Sequence, residues 1–202
     1  FRSPALYLTM SQPLLAELND VSVKQNGVII LHPVNLRIHQ QEQWAIVGHS
    51  GSGKTTLAYA LAGKTFYQGN ISFHLPDGDS HHARVLMIEQ QHHFKNRSNT
   101  SDFYYQQRYN ASDAEDTVTV AEYLQESGFN DQNEWVDILH LRPLLQEPLI
   151  QLSNGENKRL QLAQALFRDP AILILDNPFT GLDTEGRKTL NTILDAIVAT
   201  GI

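Results

Sequence analysis

Three groups of residues in this sequence have the types and spacing to act on a phosphorylated substrate. The first is Gly48-His49-Ser50-Gly51-Ser52-Gly53-Lys54-Thr55-Thr56, which fits G-x-x-x-x-G-K-[ST]. Glycines let backbone N–H groups turn towards a phosphate, and a helix beginning at the lysine adds positive potential. Lys54 reaches the outer phosphates, and the Thr55 hydroxyl is a ligand suited to Mg²⁺. The second group is Ile172-Leu173-Ile174-Leu175-Asp176-Asn177, an apolar run delivering Asp176 to the same kind of cation. The residue after it, where a carboxylate would take a proton from water, is the amide Asn177. The third is Leu152-Ser153-Asn154-Gly155-Glu156, whose S-x-x-E spacing is that of a helix capping box and whose exposed N–H groups suit an anion.

These residues need strands and helices in alternation to present them. Residues 14–23 and 28–38 read as two β segments around the turn Gln25-Asn26-Gly27. Gln43-Trp44-Ala45-Ile46-Val47 reads as a buried strand entering the phosphate loop. Leu57, Ala58, Leu61 and Ala62 then follow helical spacing as far as Gly63. Residues 84–88 form another strand candidate, ending at Glu89-Gln90-Gln91. Residues 92–117 are polar, with Phe103, Tyr104, Tyr105 and Tyr109 embedded and no clear period, and read as a long loop or insertion. Residues 118–148 return to helical spacing through Val120, Tyr123, Leu124, Trp135, Ile138 and Leu139. A helix from Ser153 carries Leu160, Ala163 and Phe167 and ends by Asp169-Pro170. Leu190, Ile193, Leu194, Ile197 and Val198 make a final amphipathic helix closed by Gly201. The alternation predicts an α/β layered core with a mostly parallel sheet.

Composition narrows the function classes. The 202 residues carry a formal net charge of −7, which disfavours nucleic acid as a partner. Cysteine is absent, so disulfides and thiolate metal sites are excluded. No run approaches the roughly 18 apolar residues of a membrane-spanning helix, and a cytoplasmic protein is the expectation. Residues 1–13 read as an extension, with Met10 as the natural start. His81-His82 and His92-His93 lack the spacing of a helical ligand pair and read as surface loops rather than metal sites.

The order phosphate loop, Gln90, Leu152–Glu156, Asp176 and Asp183 resembles the nucleotide-binding domain of ABC ATPases across about residues 15–202. The resemblance implies a P-loop NTPase core with a small antiparallel β subdomain and a helical subdomain. On that division residues 14–202 form one ABC ATPase domain. Residues 14–91 and 151–202 supply the core and β subdomain, and 92–150 the insertion and helical subdomain. It implies ATP held by Gly48 through Thr56 and Mg²⁺ by Thr55, Gln90 and Asp176. Gln90 would sense the metal and the attacking water, with Gln91 as the alternative register, and Asn177 stands at the position of the usual glutamate base. The signature Ser153, Asn154, Gly155 and Glu156 would close on ATP bound by a second such domain, a homodimer partner or a tandem half. Asp183 matches the loop that speaks across that dimer, and it reads equally as the N-cap of the last helix. The activity implied is ATP hydrolysis, slow at this site, that drives transport through a separate membrane subunit at the inner face of the membrane. The alternative is the ATP-dependent switch half of a soluble tandem ABC protein. Two departures stand out: Gln25 replaces the aromatic that stacks on adenine, and the chain stops before the family's switch histidine, as if truncated.

Overall fold

The computed structural model describes residues 12–75, 84–90, 93–95, 102–104, 118–130 and 132–201. The N-terminal extension, His81, His82, His92, Gln91 and most of the 92–117 insertion lie outside the described residues. Strands β1 (Leu14–Gln25) and β2 (Val28–His39) form an antiparallel hairpin, and β3 (Gln68–Phe73) pairs with the other edge of β1. The turn is two residues long. Asn26 and Gly27 have φ of 49° and 81°, the pair of left-handed conformations that a twisted hairpin needs and that Asn-Gly tolerates. Helix α1 (Lys54–Leu61) packs Leu57, Ala60 and Leu61 onto Leu18, Val21, Val23 and Leu31 of this sheet, making one core.

A second core surrounds the parallel pair β4 (Val85–Ile88) and β7 (Ile172–Leu175). Helices α2 (Val120–Gln125), α3 (Glu134–Ile138), α4 (Asn154–Leu166) and α5 (Thr184–Ala199) surround it with Val120, Leu124, Val136, Leu139, Leu160, Leu162, Leu190 and Ile193. Inside the insertion, β5 (His93–Lys95) and β6 (Asp102–Tyr104) form a short antiparallel pair, where the sequence shows no period. Tyr123 of α2 donates its hydroxyl to Gln164 of α4 at 3.0 Å, and burial pushes its pKa up to about 12.

One expectation is corrected. Residues 43–47 are not a buried strand: they form no ladder, and Trp44, Ile46 and Val47 are 54%, 46% and 87% exposed. An extended segment hides its side chains only between neighbouring strands, and none pairs with it among the described residues. Helix α4 ends at Leu166, ahead of Asp169-Pro170 as its sequence leads one to expect, and Asp169 leaves the right-handed helical region with φ 50°. The Asp169 carboxylate and carbonyl both accept from Arg84, which holds that reversal against the start of β4. Among the described residues no helix is long and apolar enough to cross a membrane.

Candidate functional site

The phosphate loop is shaped by its last glycine. Gly53 has φ 88°, and a Cβ there would sit 3.0 Å from both the Ile30 carbonyl and Leu31 Cδ1. Only glycine fits a left-handed position pressed this closely onto β2. Gly53 is also the N-cap of α1, so no side chain caps the helix, and no acidic residue occupies its first turn. The amide groups of that turn therefore point towards an anion position, with the positive end of the helix behind them. Lys54 Nζ folds back onto the loop, donating to the carbonyls of Gly48 at 2.9 Å and His49 at 2.7 Å. His49 also accepts from the Ser52 amide, at 3.2 Å, which closes the loop as a turn.

Parallel pairing of β4 with β7 brings the remaining polar groups to one end of the strands. Asp176 N–H donates to the Ile88 carbonyl at 2.9 Å, extending the ladder by one residue. The Thr55 hydroxyl donates to Asp176 Oδ2 at 3.0 Å, across 121 residues of chain. Asn177 Nδ2 donates to Gln90 Oε1 at 3.2 Å and to Asp176 Oδ1 at 3.3 Å. Asn177 has φ 45°, a conformation that Asn accepts more readily than most side chains because its short amide finds local partners. Thr55, Asp176, Gln90 and Asn177 thus form one continuous polar cluster beside the phosphate loop.

Ser153, Asn154, Gly155 and Glu156 lie elsewhere, at the start of α4. Ser153 Oγ accepts from the Glu156 amide at 3.3 Å, and Glu156 Oε2 accepts from the Ser153 amide at 2.7 Å, a complete capping box. Partial burial pushes the Glu156 carboxyl up, but the Ser153 hydrogen bonds and the Arg159 guanidinium outweigh it and hold the pKa below the ordinary glutamate value. Asn154 Nδ2 donates to the Gly181 carbonyl at 3.1 Å, joining this helix start to the loop before α5. Asp183 caps α5 by accepting from the Gly186 amide at 2.7 Å. Gln25 is exposed at the hairpin end.

Several contacts were not expected from the sequence. Glu89 accepts from Lys64 at 2.6 Å and from the Tyr59 hydroxyl at 3.2 Å, tying the end of β4 to α1. Lys158 of α4 donates to the Glu89 carbonyl at 3.2 Å. The signal for Lys158 was present: Lys158, Leu162 and Ala165 share one helix face, and all three are buried. It was masked by the polar run Asn157-Lys158-Arg159, which reads as a solvated surface.

Residues 31–180 match the ABC transporter family model. An uncharacterized ABC transporter ATP-binding protein of Schizosaccharomyces pombe is 30% identical over 173 residues, 80% of this chain and 35% of that protein. The sulfate/thiosulfate import ATP-binding protein CysA of Pseudomonas putida is 34% identical over 179 residues, 86% of this chain and 52% of its own length. The energy-coupling factor transporter ATP-binding protein EcfA1 of Thermotoga maritima is 31% identical over 183 residues, 89% and 67% of the two chains. The chain therefore spans between 35% and 67% of the length of these relatives. In fold it is similar to cbiO1 of Clostridium perfringens, with TM-score 0.70 and 20% identity over 94% of this chain and 76% of that one. The fold, the convergence of Thr55 on Asp176 and the family match agree: this chain belongs to the ABC transporter family.

Proposed function

We propose that this chain is an ATP-binding, slowly hydrolysing ABC-type ATPase domain that powers transport through a separate membrane subunit. The observation that carries the reading is the Thr55–Asp176 hydrogen bond at 3.0 Å beside an uncapped helix start bearing Lys54. In the arrangement described, the Gly48 and His49 carbonyls hold the Lys54 ammonium. The β- and γ-phosphates of ATP would take that ammonium from them, while the α1 amides bind the phosphate oxygens. Thr55, Asp176 and Gln90 offer hydroxyl, carboxylate and amide oxygens, a donor set that fits Mg²⁺. When bound, Mg²⁺ neutralises charge on the phosphates. The residues of the chain would orient the nucleotide and its attacking water.

Asn177 decides the rate. Its amide can hold a water and the Gln90 side chain, but it cannot accept the water's proton. Losing a general base costs on the order of 10²–10⁴ in rate. Glu89 does not replace it, because Lys64 and Tyr59 hold its carboxylate on the flank of α1, a turn beyond Thr55. The signature residues Ser153 and Asn154 are exposed, as a group that closes over the nucleotide of a second domain must be. The names of CysA and EcfA1, an import and a transporter ATP-binding protein, support coupling to transport. Asn177 equally favours a second reading, an ATP-dependent switch half of a tandem protein in which occupancy matters more than turnover.

Nucleotide binding and turnover in Lys54→Ala and Asp176→Asn test the reading. Lys54→Ala should weaken ATP binding at least about ten-fold, since it removes a charged phosphate partner. Asp176→Asn should leave ATP binding without magnesium nearly unchanged and abolish the gain in affinity that magnesium brings. Unchanged magnesium dependence in Asp176→Asn would remove Asp176 from the site.

A further inference from the structure

Lys158 has no part in the chemistry above, yet it is 6% exposed in the second turn of α4. Its helix face continues as Leu162 and Ala165, so an apolar side chain would suit the position. An ammonium there is costly to bury, and an uncharged chain of similar length would fill the space at lower cost. Burial accordingly holds the Lys158 pKa below the ordinary lysine value, while the Asp176 carboxylate acts in the opposite direction. The charge therefore sits within the field of the phosphate-site aspartate.

The atom it grips is informative. The Glu89 carbonyl, 3.2 Å from Lys158 Nζ, belongs to the peptide that joins Glu89 to Gln90. The groups on either side of that peptide are held as well. The Glu89 side chain is tied to α1 through Lys64 and Tyr59, and the Ile88 carbonyl accepts from Asp176. The Gln90 side chain beyond it is held by Asn177. Lys158 adds a hydrogen bond from α4 to this turn. Along a rigid helix at about 1.5 Å per residue, Lys158 lies roughly 7.5 Å from the Ser153 cap.

We infer that Lys158 is a positioning residue: its ammonium carries displacement of the helix that begins at Ser153–Glu156 into the peptide that places Gln90 against Asn177 and Asp176. The inference rests on the ATPase reading above. A ligand met at the start of α4 is thereby reported to the water-facing glutamine through a single buried charge.

The test uses Lys158→Met, which keeps the aliphatic stem, and Lys158→Arg, which keeps a cation, in the full chain. Lys158→Met should lower kcat for MgATP roughly ten-fold, the scale of a small misplacement in an active site, with KM within about two-fold. Its Tm should be unchanged or higher, because a buried charge has been removed. Lys158→Arg should restore kcat to within about three-fold of the parent. An unchanged kcat in Lys158→Met, or a loss that Arg does not rescue and that follows a fall in Tm, overturns the inference. Hydrogen exchange gives a readout independent of turnover. Adding magnesium and a non-hydrolysable ATP analogue should slow exchange at residues 153–160 and 85–90 together in the parent, and only at 153–160 in Lys158→Met. Joint slowing in Lys158→Met overturns the inference while leaving the ATPase reading intact. A parent chain in which neither segment responds and no ATP is turned over overturns that reading, and this inference with it.

Discussion

At the scale of single residues, Asn177 meets two demands that pull on the same side chain. Its φ of 45° favours Asn, Asp or Gly, and its amide bridges Gln90 and Asp176. Asn177→Ala should therefore cost about 1–2 kcal/mol in a urea unfolding series, from left-handed strain and the lost bridge together. Asn177→Gly should lose only the bridge and be the milder variant. Equal destabilisation by both would show that backbone conformation plays no part in selecting Asn there. Gly53 is the second such residue. Gly53→Ala should destabilise α1 and the loop together, because the left-handed backbone and the Ile30 carbonyl both exclude a Cβ. Nucleotide binding and thermal unfolding should fall in parallel.

At the scale of elements, the helix starts determine what each helix can do. Helix α4 is capped by its own Ser153 and Glu156, whereas α1 begins at a glycine without a cap and leaves its amides for a ligand. Ser153→Ala should cost about 1 kcal/mol of stability, measured by chemical unfolding. Glu156 gives the cap a pH dependence. Its folded pKa lies below the ordinary glutamate value, so its contribution is present above that ordinary value and is lost as pH falls through the folded one. The stability gap between the parent and Glu156→Gln should therefore shrink on acidification; a constant gap would mean the carboxylate does not favour the cap. The capping box was readable in the sequence because S-x-x-E is local, and so were the Asn-Gly hairpin turn and the phosphate loop. The exposed 43–47 run was not, since an apolar pentapeptide carries no record of whether a neighbouring strand exists to cover it. The Glu89, Lys158 and Asn154 contacts join residues that sequence separation keeps 25 to 69 positions apart, and no periodicity encodes them.

At the scale of the molecule, two cores meet where the phosphate loop meets the ends of β4 and β7. One core holds α1 against the antiparallel sheet, and the other holds α4 and α5 around the parallel pair. Nucleotide binding to Lys54 and Thr55 on one side and Asp176 and Gln90 on the other would join them, so MgATP should raise Tm. At a ligand concentration about 100 times the Kd the gain is about 2.7 kcal/mol. The exposed signature residues predict a second effect, association of two chains in MgATP. Ser153→Arg should abolish that association in light scattering while ATP binding to the monomer persists; association that survives the substitution would place the interface elsewhere. The measurement closest to the central claim compares Asn177→Glu with the parent in a dimer. Turnover should rise by about 10²-fold or more, with ATP affinity within a few-fold, once a carboxylate can accept the proton of the attacking water. Turnover that stays at the parental rate while ATP remains bound would contradict the assignment of slow chemistry to Asn177.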